Sequence, residues 1–348
     1  MSHLPVFPRR FLASSFAGWA VLAVLLVIPG GARAVVLRND VSRTKYQALC
    51  AQKQFAPVGE IEVNFGFGYQ QFASAVLVSN TMIISAGHVF DRDAELGAIA
   101  YRFVISGQVI PIKFKSSGVV TIAPGYNPVT LINDVSAAFL SKAVKGVTPA
   151  TLYAGRTENG FIGTMVGFGD SGTGLTGDEF NDSKLAGQNS IDLVNQYDLV
   201  VDFDSPTNPA LSSLGSPYPL PLEAVIGPGD SGGGLFFDTN GHWVVAGVNS
   251  YGYQALGSNV SDTYGWQSGF TRVSSYVSFI TTLAKKHKTS VKTYTPPKKN
   301  AAVIELLPMD AETMDTESLT IPWYQQEGLI VKRLRPTPTD FVPTSPSP

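Results

Sequence analysis

Between about Phe55 and Val273, short β-favouring runs alternate with clusters of Gly, Asn, Asp and Pro. The runs are Ser74 to Val78, Met82 to Ser85, Tyr101 to Ile105, Val109 to Phe114, Val135 to Leu140, Thr164 to Phe168, Leu199 to Phe203, Leu235 to Phe237 and Trp243 to Asn249. This spacing commits the chain to many short strands joined by turns, as in a sandwich or barrel. Composition agrees: 34 glycines and 23 prolines stand among 348 residues, and only 15% are charged, against about 25% in an average soluble domain. A coiled coil, which is rich in charge and alanine, is excluded. The length is enough to bury a real core. Ser274 to Lys288 breaks the β pattern. Val277, Ile280 and Leu283 recur at helical spacing and lysines crowd the end, which predicts a short amphipathic helix with charges that favour its dipole.

The two ends read differently. Arg9 and Arg10 precede an uncharged run, Phe16 to Ile28; Pro29, Gly30 and Gly31 break it, and Ala32-Arg33-Ala34 comes next. Small residues at the two positions a signal peptidase reads make residues 1–34 a secretory leader. The run is short for a spanning helix, which needs roughly 20 apolar residues. The expectation is therefore a secreted or periplasmic protein, with no integral membrane segment after cleavage. Removing three arginines and no acid takes the net charge from -2 to -5. No nucleic-acid partner is expected, because such binders carry a basic footprint. Cys50 is the single cysteine, which excludes an intrachain disulfide and a multi-cysteine zinc site; it reads as a small buried hydrophobe. Residues 35–54 form a mixed polar segment ahead of a domain at 55–288. Residues 289–348 are proline-punctuated, with acids near Asp310 to Glu317, and read as an extended or disordered tail.

Three fragments carry chemistry. Ser85-Ala86-Gly87-His88-Val89 comes directly after the apolar run Met82-Ile83-Ile84. Asn133-Asp134-Val135 opens an apolar strand. Gly229-Asp230-Ser231-Gly232-Gly233-Gly234-Leu235 is a glycine-rich turn feeding a strand. A serine hydroxyl needs a base to take its proton, and imidazole titrates in the right range. The imidazole needs a buried acceptor to fix its tautomer. A developing oxyanion needs backbone N–H donors aimed at one point. His88, Asp134, Ser231 and the turn at Gly229 supply one candidate for each role, in the order His, Asp, Ser.

With these motifs in this order, the stretch from about Phe55 to Lys288 resembles the trypsin/chymotrypsin-like serine protease family, in a secreted bacterial-type form. The resemblance implies an all-β fold of two six-stranded antiparallel barrels with a C-terminal helix, and a site in the cleft between them. It implies His88 as general base, Asp134 as its orienting acid and Ser231 as nucleophile. The N–H groups of Gly229 and Ser231 would form the oxyanion hole. Ser250-Tyr251-Gly252 resembles the strand that pairs with substrate, its serine supporting the acid. Gly269 to Val273 resembles the strand before the C-terminal helix. The implied activity is a serine endopeptidase acting on polypeptides as a monomer, without cofactor or metal. A catalytically silent binding protein and a serine esterase on the same fold are the alternatives.

The chain departs from the family pattern in several places. Val89 and Gly227 stand where the family carries cysteines, so packing alone must hold the loops. No Ile-Val-Gly-Gly sequence precedes the domain to supply a partner for Asp230. Three options stay open: a terminus freed by leader cleavage, one freed by another cut near Lys45, or no partner. Six residues before Ser231, at the family's pocket base, stands Val225. With Ile226 it predicts an apolar pocket and a preference for apolar residues before the scissile bond. A second Gly-Asp-Ser-Gly at 169–172 is succeeded by Thr173-Gly174-Leu175-Thr176 rather than by an apolar strand, and reads as a flexible glycine turn. Gly229 to Gly233 also fits the elbow of α/β-hydrolases, but that fold wants its histidine after the serine, where only His242 and His287 stand.

Overall fold

The computed structural model describes residues 35–91, 97–113, 119–179 and 184–297. The expected leader and most of the expected tail lie outside these residues. Two large sheets dominate. The first runs, edge to edge, through Gln108–Pro111, Ala100–Ile105, Val58–Asn64, Tyr69–Ser79, Met82–Ser85, Ser136–Phe139 and Val120–Ile122, with every pairing antiparallel. From Gly59 onward, Val58–Asn64 alternates buried and half-buried positions, as a strand with one face on a core should. Ile83 and Ile84, Ala137 and Ala138 lie paired at the centre and buried.

The second sheet runs through Leu185–Ser190, Ile162–Gly167, Gly234–Thr239, His242–Gln254, Trp266–Arg272, Asp198–Asp202 and Leu193–Val194. Thr151–Tyr153 joins it in parallel to His242–Gln254, and Thr293–Tyr294 adds outside that strand. The two sheets curl into the two barrels that the resemblance implied. Short edge strands raise the count of each above six. A third, four-stranded sheet gathers Gly177–Glu179, Ser171–Thr173, Val36–Leu37 and Ala224–Val225. It clips the N-terminal segment onto the second barrel.

The predicted helix is Val277–Lys286, with Ile280, Leu283 and Ala284 buried and Lys285 and Lys286 in its last turn. A 3-10 turn, Val273–Ser275, takes the serines expected to start it. A second helix, Arg43–Cys50, lies in the N-terminal segment read only as mixed and polar; it buries Tyr46, Leu49 and Cys50. Burial pushes the Cys50 thiol up to about 11, as suits a packed thiol rather than a reactive one. Just beyond residue 288, Leu152 N–H donates to the Lys292 carbonyl and Ala154 N–H to that of Tyr294, which holds Thr293–Tyr294 against Thr151–Tyr153. Among the described residues, no helix is long and apolar enough to cross a membrane.

Candidate active site

The pairing of Met82–Ser85 with Ser136–Phe139 sets Ser85 opposite Ser136. This brings the segments flanking the two strands together: the 3-10 turn Gly87–Val89, which carries His88, and Asp134. Asn133 sits at φ 60, a left-handed conformation that Asn tolerates, and accepts from Tyr276 Oη at 2.7 Å. Gly87 has no room for a β-carbon, which would stand 2.9 Å from Ile122 and 3.1 Å from Asp134 Oδ1. The Asp134 carboxylate is fully buried. Its Oδ1 accepts the His88 backbone N–H at 2.8 Å, and its Oδ2 lies 2.8 Å from His88 Nδ1. Ser250 Oγ also donates to Oδ2, and Thr271 Oγ1 donates to the Asp134 carbonyl at 2.8 Å. Ser250 reaches Asp134 because the pairing of His242–Gln254 with Trp266–Arg272 shifts register between Asn249 and Tyr251.

Ser231 Oγ lies 2.8 Å from His88 Nε2. Since a carboxylate only accepts, the neutral ring carries its proton on Nδ1 and offers Nε2 to the hydroxyl. The turn around Ser231 is rigid. The N–H groups of Asp230, Gly232 and Gly233 donate to the carbonyls of Gly227, Asn249 and Asp230. Gly229 and Gly232 have φ 88 and 84, and a β-carbon on Gly232 would stand 1.9 Å from Ser85 Oγ. Ser74 N–H donates to the Ser231 carbonyl at 2.8 Å, which ties the turn to the other barrel.

The family model described as trypsin matches residues 51–280. The chain belongs to the trypsin family. No curated protein matches it. A trypsin-family chain is a serine-type peptidase in general class, with polypeptide as the class of substrate. The departures from the family pattern therefore have to be explained from this chain's own contacts.

One departure has a direct answer. Asp230 is fully buried. Its Oδ2 accepts the N–H of Val35 at 2.9 Å and of Gly227 at 2.9 Å, and its Oδ1 accepts that of Gly169 at 2.8 Å. Burial pushes its carboxyl up to about 8; the Gly227 and Val35 donors oppose this, and Asp262 and Asp170 add to it. Val35 is the first residue after the expected leader. It is itself fully buried, its carbonyl accepts from Ser171 Oγ at 2.9 Å, and Val36–Leu37 pairs with Ser171–Thr173. The second Gly-Asp-Ser-Gly is thus the socket for the N-terminal segment. The sequence carried a signal for this, in two β-branched apolar residues directly after Ala34.

The other expected site residues divide. Ile226, Ser250, Tyr251 and Gly252 line a cavity of about 180 Å³ beside Ser231, together with Asp262 and Trp266. Val225 does not line it. Its side chain is fully buried against Val36, Phe203 and Tyr264, because Ala224–Val225 pairs with Val36–Leu37. Asp262 carries no motif that marks it in the sequence, because its segment lies beyond Ser250-Tyr251-Gly252 and well after Ser231. His242 and His287 stack on Tyr294 and Phe139, away from this arrangement. Among the described residues no cluster of His, Cys, Asp and Glu could hold a metal ion.

Proposed function

We propose that the protein is a secreted serine endopeptidase with His88, Asp134 and Ser231 as its catalytic triad. The supporting observation is the unbroken relay from Asp134 Oδ2 through both ring nitrogens of His88 to Ser231 Oγ, with 2.8 Å at each link. In this reading His88 Nε2 takes the hydroxyl proton as Ser231 Oγ bonds to the peptide carbonyl carbon. Asp134 holds the ring in the needed tautomer and stabilises the imidazolium. The N–H groups of Gly229 and Ser231 donate to the oxyanion, stabilisation made only as charge develops. The imidazolium then gives its proton to the leaving amine, and the C–N bond breaks to leave an acyl-enzyme. Water, deprotonated by the same nitrogen, attacks the ester and releases the acid. Ser250-Tyr251-Gly252 pairs with the substrate backbone on the acyl side. Of the two residues that pointed to apolar side chains before the scissile bond, Ile226 alone supports that preference.

Export and maturation belong to the same reading. Cleavage after Ala34 removes the leader and turns the Val35 amide into an ammonium, already at hydrogen-bond distance from Asp230. Val35 has φ 28, a strained value for a β-branched residue held in a continuous chain; cutting the preceding bond removes that constraint. The cut terminus therefore supplies the partner of Asp230, ahead of a cut near Lys45, which lies inside the helix Arg43–Cys50.

The test labels the secreted protein with a fluorophosphonate, maps the adduct by mass spectrometry and reads the N-terminus. An adduct on Ser231 and a terminus at Val35 are expected. Folded protein with no adduct would identify a catalytically silent binding protein. Labelled protein that hydrolyses esters but no peptide would identify an esterase.

A further inference from the structure

The acid that lines the cavity does not stand where the family pattern directs attention. Val225 is packed away from the cavity beside Ser231, whereas Asp262 lines it. Asp262 comes from the segment between the strands His242–Gln254 and Trp266–Arg272. It is only 4% exposed, and its φ of 60 is a left-handed turn that Asp adopts more readily than most residues. Ser261 Oγ donates to its Oδ2 at 2.9 Å. Its Oδ1 lies 3.2 Å from where a β-carbon on Gly252 would stand, so the acid borders the part of the pocket wall that has no side chain. Ile226 and Trp266 add apolar and aromatic surface to a wall that also carries Ser250 and Ser261.

We infer that Asp262 makes this pocket a receptor for a lysine or arginine side chain before the scissile bond. The inference rests on reading Ser231 as the nucleophile of a peptidase. A carboxylate taken out of water is costly unless it is paired, and the charged groups acting on Asp262 are themselves acids, Asp178 and Asp170. A cation entering the pocket relieves that cost. Burial pushes the Asp262 carboxyl up to about 7, with Asp178 and Asp170 adding to the effect and the Ser261 hydroxyl opposing it; an incoming ammonium or guanidinium reverses this. Long basic side chains suit such a site, since their methylene stems lie along apolar walls while the head reaches a polar partner. The apolar wall that pointed to an apolar substrate residue thus receives the stem of a basic one.

The test uses the secreted, mature protein and peptides that differ only in the residue before the scissile bond: Lys, Arg, Leu, Phe or Glu. Lys and Arg are expected to exceed Leu and Phe in kcat/KM by about 10- to 100-fold, the worth of one hydrogen bond to a charged group. In Asp262→Asn and Asp262→Ser that ratio should collapse towards one. Leu or Phe equalling or exceeding Lys and Arg in the unsubstituted enzyme overturns the inference, as does a ratio that survives in a folded Asp262 variant. The wild-type panel decides even where the variants fail to fold. If no peptide is cleaved, the binding of benzamidine, a planar cation of pocket size, to the full mature chain decides instead. Saturable binding weakened by Asp262→Asn upholds the acidic pocket although the peptidase reading has failed. No binding overturns the pocket as well.

Discussion

The chain spells Gly-Asp-Ser-Gly twice, at 169–172 and 229–232, and the two copies pack against each other in different roles. Ser231 meets His88 Nε2; Ser171 is 1% exposed and its hydroxyl donates to the carbonyl of Val35. Asp230 is encircled by backbone donors, one of them Gly169 of the other copy. Asp170 N–H donates to the Pro228 carbonyl, next to the turn that carries Ser231. The difference originates in the residues downstream of each copy. Gly233-Gly234-Leu235 leads into Gly234–Thr239, a central strand of the second barrel. Thr173-Gly174-Leu175 leads instead into a tight return to Gly177–Glu179 at the edge of the small sheet. The tetrapeptide encodes a turn with an acid and a hydroxyl. Its surroundings decide whether that hydroxyl meets an imidazole or holds a carbonyl.

The largest expected contrast is catalytic. Ser231→Ala should lower kcat on the order of a million-fold, as for other members of a triad that act as one unit, and should abolish fluorophosphonate labelling. Ser171→Ala should still label on Ser231. Equal losses from the two substitutions would dissolve the distinction.

The N-terminal socket gives the next contrast. A chain that begins upstream of Val35 should turn over peptide at least about tenfold more slowly than one that begins at Val35, since one pairing worth about 1.4 kcal/mol is a factor of ten. In the uncut chain Asp230 has only amide donors, and its carboxyl is pushed from 3.8 up to about 8. The folded form then holds a proton that the unfolded form has lost between those values, so its stability falls as pH rises through that window. An ammonium at Val35 ionises Asp230 and removes that loss. Urea midpoints of Ser231→Ala proteins with the two termini should therefore diverge as pH rises from about 4 to about 8. Parallel curves would place the partner of Asp230 elsewhere.

Contact between the two copies is steric as well as polar. A β-carbon on Gly169 would stand 2.2 Å from the Asp230 backbone nitrogen and 2.6 Å from the Pro228 carbonyl oxygen. Both are backbone atoms, so the turn that carries Ser231 must itself shift. Gly169→Ala should cost about 1–3 kcal/mol in stability, as overpacking does, and lower kcat more than it changes KM. An unaltered kcat would mean that the turn has more freedom than its hydrogen bonds imply.

The barrels, and the meeting of His88, Asp134 and Ser231, were readable because each rests on local, repeated signals. Met82 to Ile84 is apolar throughout and Gly232 must be glycine, so strand and turn announce themselves. The features that stayed hidden depend on contacts between distant segments. Val58–Asn64 is not among the apolar runs, although the alternation of its apolar residues with Glu60, Glu62 and Asn64 is itself a strand signal. Val225 sits at the family's pocket position, yet its side chain faces inward because its strand pairs with Val36. Asp262 is one acid among many until residues 252 and 262 are brought side by side. The 169–172 turn looked idle because its function lies in Val35, more than 130 residues away.

The smallest effect is the most specific to the socket. Ser171 Oγ donates to the Val35 carbonyl at 2.9 Å and accepts from an Arg43 guanidinium nitrogen at 3.2 Å. Ser171→Ala leaves a buried carbonyl without that donor, a loss of about 1–3 kcal/mol, while Ser171→Thr keeps the hydroxyl. Neither residue lines the substrate cavity, so KM for a given peptide should hold while the fluorophosphonate-reactive fraction falls with rising urea earlier in the Ala variant than in the Thr variant. A change in KM at constant reactive fraction would instead connect Ser171 to substrate, and the two copies of the tetrapeptide would then share one task rather than divide two.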